Sequence, residues 1–243
     1  MNFAFFWVGE DISIPRFLVQ SIRSIYGEDA TIFQLSDSTT PPISGVTEVL
    51  RKNLSKYLML ARLEAYALVE TNNPTCFLDA DSLLINKIEL PPFANHEAML
   101  VERDLIYKNF AFHSSVKQNF PEFINKTIYD AMPIMFGFIA TPNGGKLFKN
   151  ILKIARTLNE RFYHWYGDQM ALKIEWENNK DKYLLLSQKQ YLHTIKKTLS
   201  KEELYLLKFE GVQMITFKGP ESKLYIYDTL INFISMKDIY GAN

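Results

Sequence analysis

The sequence predicts an α/β fold with a mostly parallel central sheet and helices on both of its faces. Apolar, strand-length runs alternate with amphipathic, helix-length stretches through the first half of the chain, which is the rhythm of βαβ units. Several of these runs are apolar throughout, as in strands buried on both sides. No repeat, low-complexity tract or long linker interrupts the chain, so we expect a single domain over residues 1–243.

The first half contains three candidate strands and two predicted helices. The apolar run at 3–8 stops at Gly9, and a helical spacing of apolar side chains follows from 14 to 26, where Gly27 suits the end of the helix. The segments "ATIFQLSD" and "GVTEVLR" are the second and third candidate strands. A long amphipathic helix follows at 54–69 and is stopped by "TNNP".

The second half begins with "TCFLDADSLLI", an extended run that is apolar except at its two aspartates. Two further strands are predicted at "EAMLVE" and "MPIMFGFIATP", and helices at 145–160 and 168–176. "VQMITF" predicts a late strand, and "KLYIYDTLINFISMKDIY" is a C-terminal amphipathic segment.

Composition narrows the class of protein. Apolar residues make up 47% and charged residues 22% of the 243, which is typical of a folded globular chain. Lys and Arg together number 27, as do Asp and Glu, so the net charge gives no reason to expect nucleic acid or an anionic membrane as partner. The one cysteine, Cys76, cannot form an internal disulfide, and its apolar surroundings favour a buried, inert thiol.

Targeting signals are not apparent in the sequence. The N-terminal stretch "MNFAFFWVGED" lacks the basic region and cleavage site of a secretory signal. No window reaches about 18 uninterrupted apolar residues, so we expect no transmembrane segment. We therefore expect a cytoplasmic protein.

The run "FLDADSLLI" places Asp79 and Asp81 at the end of an apolar stretch. In an extended chain the side chains at i and i+2 point the same way, and ligands of an α/β sheet bind beyond the carboxyl ends of its strands. Two carboxylates at that edge repel each other unless a cation lies between them. Hard oxygen atoms favour Mn²⁺ or Mg²⁺ over zinc, so Asp79 and Asp81 are candidate metal ligands. The alternative is an ordinary solvated turn, because DxD is a common tripeptide.

One class of enzyme with such a pair is the haloacid-dehalogenase-like phosphatases, whose first motif resembles "FLDADSLL". The resemblance implies that Asp79 is a nucleophile and Asp81 a general acid/base. That family also needs a later acidic motif, but the comparable segment "GDQMALK" has Leu172 four positions after Asp168. Its first motif also lies near the N-terminus, whereas a βαβ unit and a long helix come first here. The phosphatase is the alternative hypothesis.

The segment "SKYLMLARLEAYALVETNNPTCFLDAD" resembles the glycosyltransferase family 8-like enzymes, which include glycogenin and the bacterial lipopolysaccharide galactosyltransferases. In that family a helix with Y-x-R-L precedes "YLDxD". The resemblance implies a GT-A (Rossmann-like) domain that grips a nucleoside-diphosphate sugar through a divalent metal. It also implies that Arg62 contacts the donor, that Asp79 and Asp81 hold the metal, and that Ala80 lies at the nucleotide.

Two further segments extend the resemblance. "YGDQMAL" matches an Asp-Gln pair that opens a helix against the transferred sugar, which implies catalytic positions for Asp168 and Gln169. The alternative role of Asp168 is a first-turn acid that stabilises its helix. Gly137, in "IMFGFIAT", stands where the family has a small residue that lines the donor sugar.

The match is looser near the C-terminus, where the family has His-x-x-Gly-x-x-Lys with a metal-binding histidine and a phosphate-binding lysine. In "TFKGPESK", Thr216 stands at the place of the histidine, and Lys223 lies four residues after Gly219 rather than three. We expect Gly219 and Lys223 at the diphosphate, where Lys218 can also supply positive charge. A Gly-Pro turn flanked by lysines is the alternative reading.

The end of the first strand meets the base and ribose in this family. The resemblance therefore implies nucleotide contacts by Trp7, Val8 and Gly9, with Asp37 nearby at the end of the second strand. Trp7 can equally be a core residue.

The sequence as a whole predicts a metal-dependent glycosyltransferase with Mn²⁺ or Mg²⁺ as cofactor. The donor is a nucleoside-diphosphate sugar, with UDP as the expected nucleotide and retention of configuration as the family default. The acceptor stays open among a glycan, a lipid-linked sugar, a protein and a modified DNA base. Because the family's histidine is missing, a catalytically degenerate relative that binds nucleotide without turnover is a further alternative.

Overall fold

The computed structural model describes residues 1–240. Within them the strands are β1 (Asn2–Phe6), β2 (Thr31–Ser36), β3 (Glu48–Arg51), β4 (Thr75–Leu78), β5 (Ser82–Leu84), β6 (Ala98–Glu102), β7 (Ile134–Thr141), β8 (Tyr183–Ser187), β9 (His193–Ile195) and β10 (Met214–Phe217). The α-helices are α1 (Ser13–Tyr26), α2 (Leu58–Tyr66), α3 (Ser114–Asn119), α4 (Ile128–Ala131), α5 (Lys146–Ala155), α6 (Arg161–His164), α7 (Gly167–Asn178), α8 (Gln188–Tyr191), α9 (Lys201–Phe209), α10 (Pro220–Lys223) and α11 (Ile226–Tyr240).

Seven strands form the central sheet, in the order β3-β2-β1-β4-β7-β6-β8. The pairs β1–β2, β2–β3, β1–β4 and β6–β8 are parallel. Only β7 runs against its neighbours, β4 and β6, among the paired strands of this sheet. The predicted mostly parallel α/β sheet is confirmed.

The side chains of β1 explain why both faces of the sheet are covered. Phe3 and Phe5 point to one face and Ala4 and Phe6 to the other, since side chains alternate along a strand. The first pair packs with apolar residues of α1, and the second with residues of α2, α5 and α7. Both faces are therefore buried, as the uninterrupted apolar runs predicted.

A small second sheet, in the order β5-β10-β9, joins the end of β4 to the C-terminal part of the chain. The extended run "TCFLDADSLLI" is not one strand, because it turns at residues 79–81. Asp79 still donates its backbone N–H to Gly137 O of β7 (3.0 Å), and the chain then leaves to pair with β10. The predicted late strand exists as β10, but it belongs to this second sheet.

Other predicted elements exist with different ends. The helix predicted at 54–69 spans only α2, because Tyr57 has an extended backbone and Ser55 N–H is held by the Glu64 carboxylate (2.8 Å). The helix predicted at 145–160 ends at α5, and the C-terminal amphipathic segment forms α11. No element was predicted for β8, an edge strand whose half-buried side chains follow no clear alternation.

The single-domain prediction covers residues 1–243, of which 241–243 lie outside the described residues, and it stays a prediction. None of the described helices combines the length and apolar character needed to cross a bilayer. Cys76 is fully buried, and burial raises the pKa of its thiol to about 12, which fits the inert role expected of it.

Gly145, at the start of α5, lets that helix pack directly on the end of α2. A Cβ at this position would lie 1.9 Å from the carbonyl oxygen of Tyr66, a backbone atom that cannot move without α2. We expect Gly145→Ala to lower the free energy of unfolding by roughly 1–3 kcal/mol, measured by urea denaturation.

Lys146→Ala is the matched control, because Lys146 is exposed on the same first turn. It should change stability by less than about 0.5 kcal/mol. Similar losses in both variants would show that the close approach of the two helices does not matter.

Candidate active site

A cavity of about 690 Å³ opens at the carboxyl ends of β1 and β4. Ligands of open α/β sheets bind at this edge, and the volume lies in the range of small-molecule sites. Most of the predicted site residues line the cavity, namely Trp7, Val8, Arg62, Asp79, Ala80, Asp81, Gly137, Asp168, Gln169, Gly219 and Lys223.

Gly9 and Asp37 do not line this cavity. Asp37 Oδ1 instead accepts hydrogen bonds from the hydroxyl groups and backbone N–H groups of Thr39 and Thr40. Gly9 N–H donates to the Thr40 hydroxyl oxygen (3.0 Å), so both residues belong to one turn structure. Their expected contact with the nucleotide stays a prediction.

The turn at residues 79–81 places both aspartate side chains in the cavity. Gly137 makes room for one of them, since a Cβ on Gly137 would lie 2.9 Å from Asp79 Oδ2. The sequence resemblance implied that the missing side chain admits the donor sugar. In the structure it admits the Asp79 carboxylate.

Arg62 bridges two acidic residues from its place on α2. Its Nη1 lies 2.7 Å from Asp79 Oδ1, and its Nη2 forms an ion pair with Asp168 Oδ2. The guanidinium carbon also lies 4.3 Å from the centre of the Phe136 ring, which is a cation–π distance. Arg62 Nε is buried without a hydrogen-bond partner in the described structure, so one donor of this residue is left over.

Asp168 opens α7 and is 1% exposed. Its Oδ1 accepts a hydrogen bond from Gln169 N–H (2.6 Å), and its other oxygen is paired with Arg62. A carboxylate this buried needs such partners, because an unpaired buried charge is strongly destabilising. The residue therefore has a structural role as well as a place on the cavity wall.

Gln169 extends the hydrogen bonding of β7 beyond the end of β4. Its Oε1 accepts from Phe136 N–H (3.1 Å), and its Nε2 donates to Ile134 O. β4 has already turned away at this level, and a side-chain amide can supply both the donor and the acceptor that a strand would. The amide is thus engaged by backbone groups, and the catalytic position that the resemblance implies for Gln169 stays a prediction.

Two lysines lie against the paired aspartates. Lys218, which follows β10, forms an ion pair with Asp79 Oδ2 and lies 3.5 Å from Asp81 Oδ1. Lys223 Nζ lies 3.4 Å from Asp81 Oδ2. Burial by itself would raise the pKa of the Asp79 carboxyl. The positive charges of Lys218 and Arg62 outweigh burial and lower this pKa to about 2. Burial lowers the pKa of Lys218, and the two aspartates outweigh it, so the lysine stays charged.

The donor set around the aspartates does not fit a divalent ion. Each carboxylate oxygen of Asp79 and Asp81 already has a cationic nitrogen within 3.5 Å. Among the described residues no group of three or more His, Cys, Asp or Glu side chains is placed to hold a metal. Thr216, at the place of the family's histidine, is fully buried in β10 and does not line the cavity.

Several residues of the cavity were not predicted. Arg103 is mostly buried and donates from Nε to Met132 O (2.7 Å). Trp165 is 55% exposed at the cavity, and Tyr166 beside it has a left-handed backbone (φ 66°), a conformation rare outside glycine. The sequence "HWYG" before Asp168 does not predict a left-handed backbone at Tyr166. The pair of aromatic residues next to a predicted helix start could have indicated that they belong to the site.

No family model matches the sequence, and no curated protein matches it either. Solved structures do match. A glycosyltransferase involved in the glycosylation of the major capsid of PBCV-1 aligns with a TM-score of 0.54 and 11% identity, over 93% of this chain and 98% of that chain. The galactosyltransferase LgtC, in complex with donor and acceptor sugar analogs, aligns with a TM-score of 0.52 and 11% identity, over 97% and 95%. The chain has the GT-A fold.

At 11% identity the likeness is one of fold, and it confirms the predicted architecture. It gives no support to the haloacid-dehalogenase-like alternative. The site geometry also disfavours that hypothesis, which makes Asp79 a nucleophile. Both oxygens of Asp79 are engaged by cations, and an engaged carboxylate is a weak nucleophile.

The pairing of Arg62 with Asp168 can be tested by a double-mutant cycle. Arg62→Met should destabilise the fold by roughly 3 kcal/mol, because Asp168 is left as a buried charge with no cation. Asp168→Asn should cost less, and adding it to Arg62→Met should recover part of the loss. Additive losses, measured by denaturation, would mean that the two side chains do not depend on each other.

Proposed function

We propose that this chain is a glycosyltransferase that binds a nucleoside-diphosphate sugar in the cavity and transfers the sugar to an acceptor. The observation that carries the proposal is the meeting of Asp79 and Asp81 with three cationic side chains at the carboxyl edge of a GT-A sheet. The matched structure of LgtC contains donor and acceptor sugar analogs, which supports the same class of ligand here.

The charges of the cavity suit an anionic donor. Among the described residues, those lining it include four cations, namely Arg62, Arg103, Lys218 and Lys223, and the three carboxylates of Asp79, Asp81 and Asp168. The formal excess of one positive charge favours a diphosphate.

In the proposed reaction the bond between the anomeric carbon and the β-phosphate oxygen breaks. The nucleoside diphosphate, with UDP as the proposed nucleotide, leaves with the bonding electron pair. The acceptor oxygen bonds to the anomeric carbon from the face that the diphosphate leaves, so that configuration is retained, and its proton passes to the departing diphosphate. We assign Trp7 and Val8 to the base and ribose, Gly219 and Lys223 to the diphosphate, and Asp168 to orientation of the sugar.

The dependence on Mn²⁺ or Mg²⁺ predicted from the sequence stays a prediction. The cytoplasmic location also stays a prediction. The acceptor class is left among a glycan, a lipid-linked sugar, a protein and a modified DNA base. The exposed Trp165 at the cavity offers a ring face on which a sugar can stack.

Binding of nucleotides is the first test. UDP should raise the melting temperature, since a ligand that binds only the folded state stabilises it by about 2.7 kcal/mol at a concentration of 100 Kd. GDP, dTDP and UMP are the comparisons that report on base and diphosphate recognition. No stabilisation by any nucleoside diphosphate, with or without divalent metal, would refute the proposed donor site.

Asp168→Asn separates binding from transfer. We expect UDP affinity to stay within a few-fold, because this residue is assigned to the sugar, and the rate of UDP-sugar hydrolysis or transfer to fall by about a hundredfold. Asp181→Asn, at an exposed position before β8, is the control and should leave both quantities unchanged. Tight UDP binding by the wild type without any turnover would favour the degenerate, nucleotide-binding alternative.

A further inference from the structure

The ammonium group of Lys218 lies where the family resemblance implies a metal ion, between the two aspartates. It pairs with Asp79 Oδ2 and lies 3.5 Å from Asp81 Oδ1. The backbone enforces this position, because Phe217 N–H donates to Asp81 O (3.0 Å) and Thr216 pairs with Ser82 across β10 and β5. The residue that follows β10 is therefore delivered next to the aspartates by the sheet itself.

The remaining carboxylate oxygens are also taken. Arg62 Nη1 lies 2.7 Å from Asp79 Oδ1, and Lys223 Nζ lies 3.4 Å from Asp81 Oδ2. A magnesium ion would need oxygen atoms at about 2.0–2.1 Å in near-octahedral geometry, with several of them free of other cations. Inserting a doubly charged ion among three positive side chains would also place like charges side by side.

Lys218 can serve a ligand while it stays on the aspartates. An ammonium group has three N–H donors, of which two are directed to Asp79 and Asp81. The lysine side chain is 35% exposed and lines the cavity, so the third donor is available to a phosphate oxygen. A lysine is also a compact point charge, which is the property that a bound metal would supply to a diphosphate.

We propose that Lys218 replaces the divalent ion, so that this chain binds and cleaves its nucleoside-diphosphate sugar without a metal. This inference rests on the proposed glycosyl transfer. When the bond between the anomeric carbon and the β-phosphate oxygen breaks, Lys218 and Lys223 neutralise the charge that develops on the leaving diphosphate. The acceptor oxygen forms the new bond and its proton passes to the leaving diphosphate, so no other co-reactant is required.

The test compares metal-free and metal-loaded conditions. Wild-type protein is treated with EDTA, and UDP binding is measured by calorimetry in EDTA and in Mn²⁺, together with hydrolysis of UDP-glucose and UDP-galactose. We expect UDP affinity and hydrolysis in EDTA to lie within about threefold of their values in Mn²⁺.

Lys218→Met should weaken UDP binding in EDTA by about tenfold or more. With the ammonium group gone, Asp79 Oδ2 and Asp81 Oδ1 are free to take an ion, so Mn²⁺ should restore UDP affinity in this variant alone. A merely structural lysine would not create this metal dependence. Lys197→Met is the matched control, since Lys197 is paired with Glu203 on the surface, and it should behave like wild type.

Circular dichroism and thermal melting test whether Lys218→Met is folded. If it is not folded, Lys218→Arg, which keeps the positive charge, is the variant to compare. The arginine variant should remain independent of metal. Wild-type binding or hydrolysis that disappears in EDTA and returns with Mn²⁺ would overturn this inference and leave the proposed glycosyl transfer intact. A wild type that binds neither UDP nor another nucleoside diphosphate, and hydrolyses no nucleotide sugar, in either condition would refute the proposed function itself.

Discussion

Each oxygen of the Asp79 carboxylate meets a positive charge, and the cavity is organised around that fact. Arg62 reaches one oxygen from α2, Lys218 reaches the other from the end of β10, and Arg62 also holds Asp168 at the start of α7. Two elements that are distant in the sequence therefore converge on Asp79, and a third, α7, is joined to it through Arg62. Because a buried charge without a partner is strongly destabilising, the orientation of each member depends on the others.

The backbone around Asp79 makes this convergence possible. β4 ends one residue earlier, yet Asp79 N–H still bonds to Gly137 O, and the missing side chain of Gly137 leaves room for the carboxylate. Past this point β7 has no strand on its β4 side, while β6 stays paired on the other side, and the amide of Gln169 takes the hydrogen bonds that β4 would have made. A residue that resembles a catalytic amide in sequence thus completes the sheet in the structure.

Paired aspartates after a buried strand indicate a place where positive charge is needed, and they do not specify its source. A divalent ion and a set of cationic side chains both satisfy the same carboxylates. Which of the two is present depends on the side chains that the neighbouring elements place beside the carboxylates. Here the second sheet brings Lys218 and the helix that follows it brings Lys223, and these residues are 137 and 142 positions beyond Asp81. At such sequence separations, no local pattern of residues predicts that the side chains meet.

Local sequence determined the central architecture, because buried parallel strands require uninterrupted apolar runs and amphipathic helices show their period directly. The family resemblance, rather than periodicity, implied that Arg62, Asp79, Asp81 and Asp168 share one site. Local sequence reasoning did not find β8, an edge strand with a weak burial pattern, or the turn that divides "TCFLDADSLLI" between two sheets. Only the tertiary structure decided which charges meet. The pairing of Lys218 with the aspartates depends on the antiparallel register of β10 with β5, and register is set by long-range backbone pairing rather than by the residues next to the lysine.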